Sequence, residues 1–306
     1  MSTETGPTPF RLLQRRTFED PTPNAFILHR IIRPFVPDYL KFVDYTEEQK
    51  AQIFQHLTRL GLKLLSVWIH KKRYLDLVAQ LSQEANAAPV DPGTQPHLSL
   101  TNSQELWMEF DEFLVQSKST LDYLVKFPQV QFGEKGWNLP TFGNHGAQVI
   151  RAFRQNSPGW FRPFATAICE GIERRQQWLD ALIEARDRLN HFQRGGIDPD
   201  FFVVFALKEK EKIMVRVPQW SEEQTVGDFM ETSFFNLFHF AEDFIGCMYF
   251  SKIHRELSAF HGPFTNPIEA KSTWSVTTYE EMMRHVEGND AWTYVTPLRR
   301  EDRRPK

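Results

Sequence analysis

The residues best able to do chemistry lie together in Ile183-Glu184-Ala185-Arg186-Asp187-Arg188-Leu189-Asn190-His191-Phe192, where an arginine stands five residues before a histidine and an aspartate directly follows that arginine. Arg186 is a permanent cation, and His191 can exchange protons near neutral pH. Those two roles suffice, without a metal, for RNA to be cut by its own 2′-hydroxyl. The cation neutralises the phosphorane and the imidazole moves the protons. Spacing alone decides nothing, because an arginine followed by a histidine at similar distance recurs at Arg255 and His261. Context has to decide.

On a helix, positions i and i+4 share a face, so Asp187 is placed to orient His191, and Asn190 to support Arg186. Arg186 and His191 diverge by about 140° around an ideal helix. They converge only if the helix frays near Gly195 or if two subunits share the site. Position 186 also falls on the apolar stripe Ile168, Ile172, Leu179, Leu182, Leu189, where an arginine is unfavourable unless paired. A structural reading therefore stands beside the catalytic one. In it Arg186 makes a salt bridge with Asp187 or another carboxylate of the bundle, and His191 is a C-cap favoured by the helix dipole.

Long amphipathic helices must position these residues. Residues 1–45 carry several prolines and no sustained periodicity, and read as a surface arm. A helix is predicted over about 46–84, opened by a capping box at Thr46 and Gln49, with the stripe Ile53, Leu57, Leu60, Leu64, Val67, Leu75. Ala-Asn-Ala-Ala-Pro-Val-Asp-Pro-Gly within 85–101 breaks it. A second helix over about 103–126 carries Leu106, Phe110, Phe113, Leu114, Leu121 and Leu124. After a loop-rich stretch with a short helix at 145–155, a single long helix is expected from Arg162 to Phe192, stopped by Arg194-Gly195-Gly196. Two β-rich runs around Lys208-Glu-Lys-Glu-Lys predict a hairpin over about 201–217, and a fourth helix follows over 225–255. Residues 256–306 read as a C-terminal extension with a short helix near 278–286. The predicted class is all-α: a four-helix bundle over 46–255 with an inserted β-hairpin and peripheral N- and C-terminal extensions.

Composition narrows the function classes. The 306 residues are 41% hydrophobic and include 27 phenylalanines, enough for a large, unusually aromatic core. A net charge of −3 argues against wholesale coating of nucleic acid, while leaving room for a local basic groove. Cys169 and Cys247 both sit in apolar helical contexts and read as buried thiols of a reducing compartment. The start has no cationic segment followed by an apolar run, and no apolar run approaches the ~20 residues of a membrane span. A cytoplasmic protein without membrane contact is the expectation.

The order of motifs is similar to that of a known family. Phe110-Asp111-Glu112-Phe113 and Lys118-Ser-Thr-Leu121-Asp122-Tyr123 lie on one helix, followed by Thr141-Phe142-Gly143, Trp178-Leu179, and then Arg186 through His191. The chain resembles the HEPN superfamily over roughly 46–255, most specifically over 105–192. The resemblance implies a four-helix domain and a metal-independent endoribonuclease built around a dimer interface, with no cofactor and no metal. Arg186, Asp187 and His191 would be the catalytic residues and Asn190 a supporting one. It implies RNA as partner, a homodimer, and a regulatory protein partner in a toxin–antitoxin or antiviral defence setting. HEPN-like bundles also serve as inactive scaffolds, interaction modules or nucleotide-binding modules, and that alternative stays open.

A single histidine does not easily perform both proton transfers, and a two-fold dimer would bring a second His191. Other candidates are weaker. Asp198-Pro199-Asp200 lacks the upstream Gly-Ser loop of a nucleotidyltransferase. His56, His70, His97, His145, His239, His254, His261 and His285 show no metal-ligand spacing and read as surface or packing residues. The aromatic fourth helix reads as core rather than a membrane-surface helix, because Glu242 and Asp243 interrupt it and a basic face is missing. The basic end, Arg299 to Lys306, reads as a solvated tail.

Overall fold

A computed structural model of the chain describes residues 16–17, 31, 45–87, 97–102, 104–133, 135–191, 203–209, 212–252, 258–261, 271–272 and 274–277. These residues are mostly helical. In chain order they form β1 (Arg16–Thr17), α1 (Glu47–Ala87), β2 (His97–Asn102), α2 (Gln104–Leu124), α3 (Phe127–Phe132), α4 (Ala147–Asn156), α5 (Arg162–Arg174) and α6 (Gln176–His191). There follow β3 (Val203–Glu209), β4 (Lys212–Arg216), α7 (Val226–Phe250), β5 (Ser258–His261), β6 (Lys271–Ser272) and β7 (Trp274–Thr277). Among the described residues no helix is long and apolar enough to cross a membrane.

The two longest helices begin where their sequences offer caps. The Thr46 hydroxyl accepts from the Gln49 amide at 3.2 Å, and the Gln49 side chain accepts from the Thr46 amide at 3.1 Å. Thr225 and Asp228 repeat that exchange at the start of α7. Each box satisfies backbone donors that the first turn leaves without partners.

The α1 stripe is buried as predicted from Ile53 to Val67, but Leu75 is among the exposed large hydrophobics and Tyr74 takes the core position beside it. All six apolar residues predicted for α2 are buried. Helix α7 is the centre of the bundle, touching α1, α2, α5 and α6. From Phe240 to Tyr249 every residue is buried, which is why this helix is apolar on all sides.

The structure corrects the single helix expected over 162–192. The chain leaves helical geometry at Arg175 (φ −102°, ψ 7°), so α5 and α6 are separate helices. No glycine or proline marks the break. Its physical reason lies across the bundle: the Arg175 guanidinium binds the carboxylate of Asp243, which is fully buried on α7. The same cation lies 5.8 Å from the centre of the Phe240 ring. A buried carboxylate requires a partner, and a local departure from helix is the smaller cost.

Aromatic packing orders the loop-rich stretch between α3 and α5. Phe132 stacks on Trp137 at 4.8 Å and meets Phe161 edge-on at 4.9 Å; Trp137 in turn meets Phe153 at 5.0 Å. Such pairs add roughly 0.5–1.5 kcal/mol each beyond their buried area. Cys169 and Cys247 are free and buried, and burial pushes the Cys169 thiol up to about 11.

Strands β3 and β4 pair antiparallel, from Phe205 opposite Arg216 to Glu209 opposite Lys212. The other edge of β3 pairs with β2, which falls mostly in the segment 85–101 expected only to break the helix, with Leu98 opposite Leu207 and Leu100 opposite Phe205. The resulting three-stranded sheet lies against α1. Within the two extensions β1 pairs with β6 and β5 with β7, where no strand was expected. The short helix expected near 278–286 lies outside the described residues.

Candidate functional site

Helices α2 and α6 pack side by side, and α6 carries Arg186 and Asp187 near its end. There Arg186 Nη1 donates to Asp187 Oδ1 at 2.8 Å. The two side chains are 33% and 40% exposed, so the pair borders solvent. Arg186, on the apolar stripe, is thereby paired with Asp187. Leu179, Leu182 and Leu189 are buried, while the arginine between them reaches the surface. Nearby on α2, desolvation holds the Asp111 carboxyl above the usual carboxylate range. The neighbouring Glu112 charge adds to the rise and the Arg186 charge works against it.

Asp187, expected to orient His191, accepts from Arg186 through Oδ1. That contact alters the angular problem in the motif. Positions 186 and 191 diverge by about 140°, but Asp187 and His191 are only about 40° apart. The ion pair joins the Arg186 guanidinium to Asp187, the position one helical turn before 191. His191 is the last residue of α6, and the side chains of Asn190 and His191 lie outside the described residues. So do Asp198-Pro199-Asp200.

Toward the start of α6 stands a histidine that the sequence reads as a surface or packing residue. His145 Nδ1 lies 2.7 Å from Asp180 Oδ1, and both side chains are 38% exposed. Gln176 Nε2 donates to the same Asp180 oxygen at 2.6 Å and to the His145 carbonyl at 3.2 Å. The preceding loop is tied to α2, where Asp122 Oδ1 accepts from the Phe142 amide at 2.7 Å and from Lys118 Nζ at 2.5 Å. Lys118, Asp122 and Phe142, all within the motifs quoted above, thus meet in space. The one local hint of His145's role is its place in the turn sequence Gly143-Asn144-His145-Gly146.

Gly146 is needed in that turn. Its φ is +87°, and an added Cβ would lie 2.8 Å from Ile172 Cγ2 and 2.9 Å from Phe142 Cζ. Gly146→Ala combines a left-handed backbone with overpacking, and is expected to cost about 1–3 kcal/mol in urea unfolding. An unchanged midpoint would mean that the turn is not packed in this way.

Other histidines are committed elsewhere. His56 Nε2 lies 2.6 Å from the Tyr123 carbonyl, and desolvation lowers its pKa, so its neutral ring donates there. His70 Nδ1 lies 2.6 Å from Glu109 and is 18% exposed. Among the described residues no group of three or more His, Cys, Asp or Glu side chains is arranged to hold a metal ion. Compared with protein-family models, with curated proteins and with solved structures, the chain matches none.

Proposed function

We propose that this chain is a HEPN-type, metal-independent endoribonuclease that cuts RNA by attack of the 2′-hydroxyl on the adjacent phosphodiester. Arg186 stabilises charge on the phosphorane, His191 transfers a proton, and Asp187 fixes the guanidinium. Asn190 supports the same turn. The observation that carries this reading is the Arg186–Asp187 pair at the solvent edge of α6. It joins an accessible cation to Asp187, one helical turn before position 191. Asp187 adds negative charge near the phosphate, but the ion pair offsets it.

The active form proposed is a homodimer packed around the C-terminal end of α6, regulated by a protein partner, in a toxin–antitoxin or antiviral defence setting. Light scattering at micromolar concentration should give about twice 36 kDa, and a 36 kDa species alone would rule out the dimer. Purified protein should cleave single-stranded or loop RNA in EDTA and leave DNA intact, because DNA lacks the nucleophile. Absence of any RNA cleavage would refute the enzyme reading.

A second reading has an observation of its own. Arg186 is salt-bridged to Asp187 and acts on Asp111, as a structural cation would. Under that reading the bundle is an inactive scaffold, and RNA cleavage is the measurement that separates the two.

A further inference from the structure

Trp160 is the exposed tryptophan among the residues whose burial is described, with 47% of its surface open. Indole rings are mostly buried in a fold or an interface. This one is held in place at the surface. It meets Phe161 edge-on at 5.7 Å and lies 5.9 Å from Phe132, which is itself stacked on the buried Trp137. The Lys252 ammonium sits 4.8 Å from the indole centre and 6.0 Å from the centre of the Tyr45 ring. Tyr45 is fixed in turn, its hydroxyl donating to Gln131 Oε1 at 2.7 Å in the interior of the bundle.

Cations beside this ring meet no carboxylate. Elsewhere Lys71 pairs with Glu231, Lys118 with Asp122 and Arg154 with Glu173. Among the described residues no acid pairs with Lys252, nor with Arg162, which is exposed two positions after Trp160. The segments that build the patch, 127–133, 157–168 and 244–252, contain no aspartate or glutamate. Glu47 and Glu48, close to Tyr45 in the chain, are engaged by Lys50 and Gln52. A chain of net charge −3 thus keeps a positive patch around its exposed indole.

We propose that Trp160, Lys252 and Arg162 form a contact site for single-stranded RNA, separate from Arg186. A base stacks on the exposed indole, and the phosphates beside it meet the two cations. The choice of RNA rests on the ribonuclease reading above. What the patch offers is a flat π-face next to unpaired positive charge, and a nucleotide presents a ring and an anion together. An acidic peptide supplies only the anion. Arg162 opens α5 and Arg186 lies in the later part of α6, which puts them roughly 36 Å apart if the two helices ran on in line. A long RNA reaches both places and a dinucleotide does not. The patch therefore raises affinity for long RNA and leaves the chemistry to the end of α6.

The test measures, by fluorescence anisotropy in EDTA, binding of an oligouridine long enough to reach both places. His191→Ala is the background, so that the RNA is bound without being cut. Trp160→Leu keeps an apolar side chain but removes the stacking face, and should weaken binding about tenfold or more. Trp160→Phe should restore most of that loss, which a purely packing role for the indole would not require. Lys252→Met should lower the slope of log affinity against log salt by about 0.7. With His191 intact, Trp160→Leu should act on KM for the oligouridine rather than on kcat. Oligodeoxythymidine should show the same dependence on Trp160 and stay uncut, because stacking does not read the 2′-hydroxyl. Equal affinity with and without Trp160→Leu, equal losses in the Leu and Phe variants, or displacement of the RNA by oligoglutamate of equal charge would overturn the patch. RNA that wild type binds through Trp160 but never cuts would overturn the ribonuclease reading and leave the patch standing.

Discussion

His191→Ala is expected to lower RNA cleavage by about 10²–10⁴-fold while leaving the helical circular-dichroism signal and the unfolding midpoint close to wild type. The reason for the separation is position. His191 ends α6, where a histidine contributes about 0.3–1 kcal/mol through the helix dipole. Arg186→Ala should lose comparable activity, because the phosphorane charge would have no guanidinium to offset it. It should also cost some stability, since Asp187 would lose its partner and the Asp111 carboxyl the nearby positive charge. Arg255→Ala and His261→Ala, which repeat the spacing by chance, should cleave like wild type. If wild type and His191→Ala degrade RNA at the same rate, the activity belongs to a contaminant and the scaffold reading replaces the enzyme.

The largest stability effect is expected at Asp243→Ala, with a loss of about 3–5 kcal/mol in urea unfolding. Asp243 is fully buried on α7 and Arg175 is 7% exposed, so removing the carboxylate leaves a cation enclosed by the bundle. The Phe240 ring beneath the guanidinium recovers only part of that cost. Replacing both partners, Arg175→Met with Asp243→Leu, should recover most of the loss, because neither side chain then needs hydration. In that double variant the Arg175 backbone has no charge to deliver, and α5 and α6 are free to join. A loss below about 1 kcal/mol for Asp243→Ala would mean that the pair is solvated rather than buried.

These two sites differ in how far the sequence reveals them. The Arg186–His191 motif is contiguous, so residue types and helical angles describe it without coordinates. The Arg175–Asp243 pair spans 68 positions. Sequence placed Asp243 correctly in a core helix and saw that it interrupts the apolar run, but nothing local says which cation reaches it. The break at Arg175 was missed for the same reason. Its cause is a partner on another helix rather than a helix-breaking residue in place.

What the chain determines by itself is therefore local and periodic: the helix stripes, the capping boxes at Thr46 and Thr225, and the aromatic core. Each depends on residues within a few positions of one another, where backbone geometry sets the contacts. Tertiary structure alone decided three further features. It added β2 to β3, whose edge accepts a strand from about a hundred residues earlier in the chain. It broke the helix at Arg175 to satisfy a buried carboxylate. It also set His145 on Asp180 by holding a left-handed backbone (φ 51°) in place from α2, α5 and α6 at once. Strain of that kind has no sequence signature, because the contacts that sustain it come from segments the local sequence does not contain.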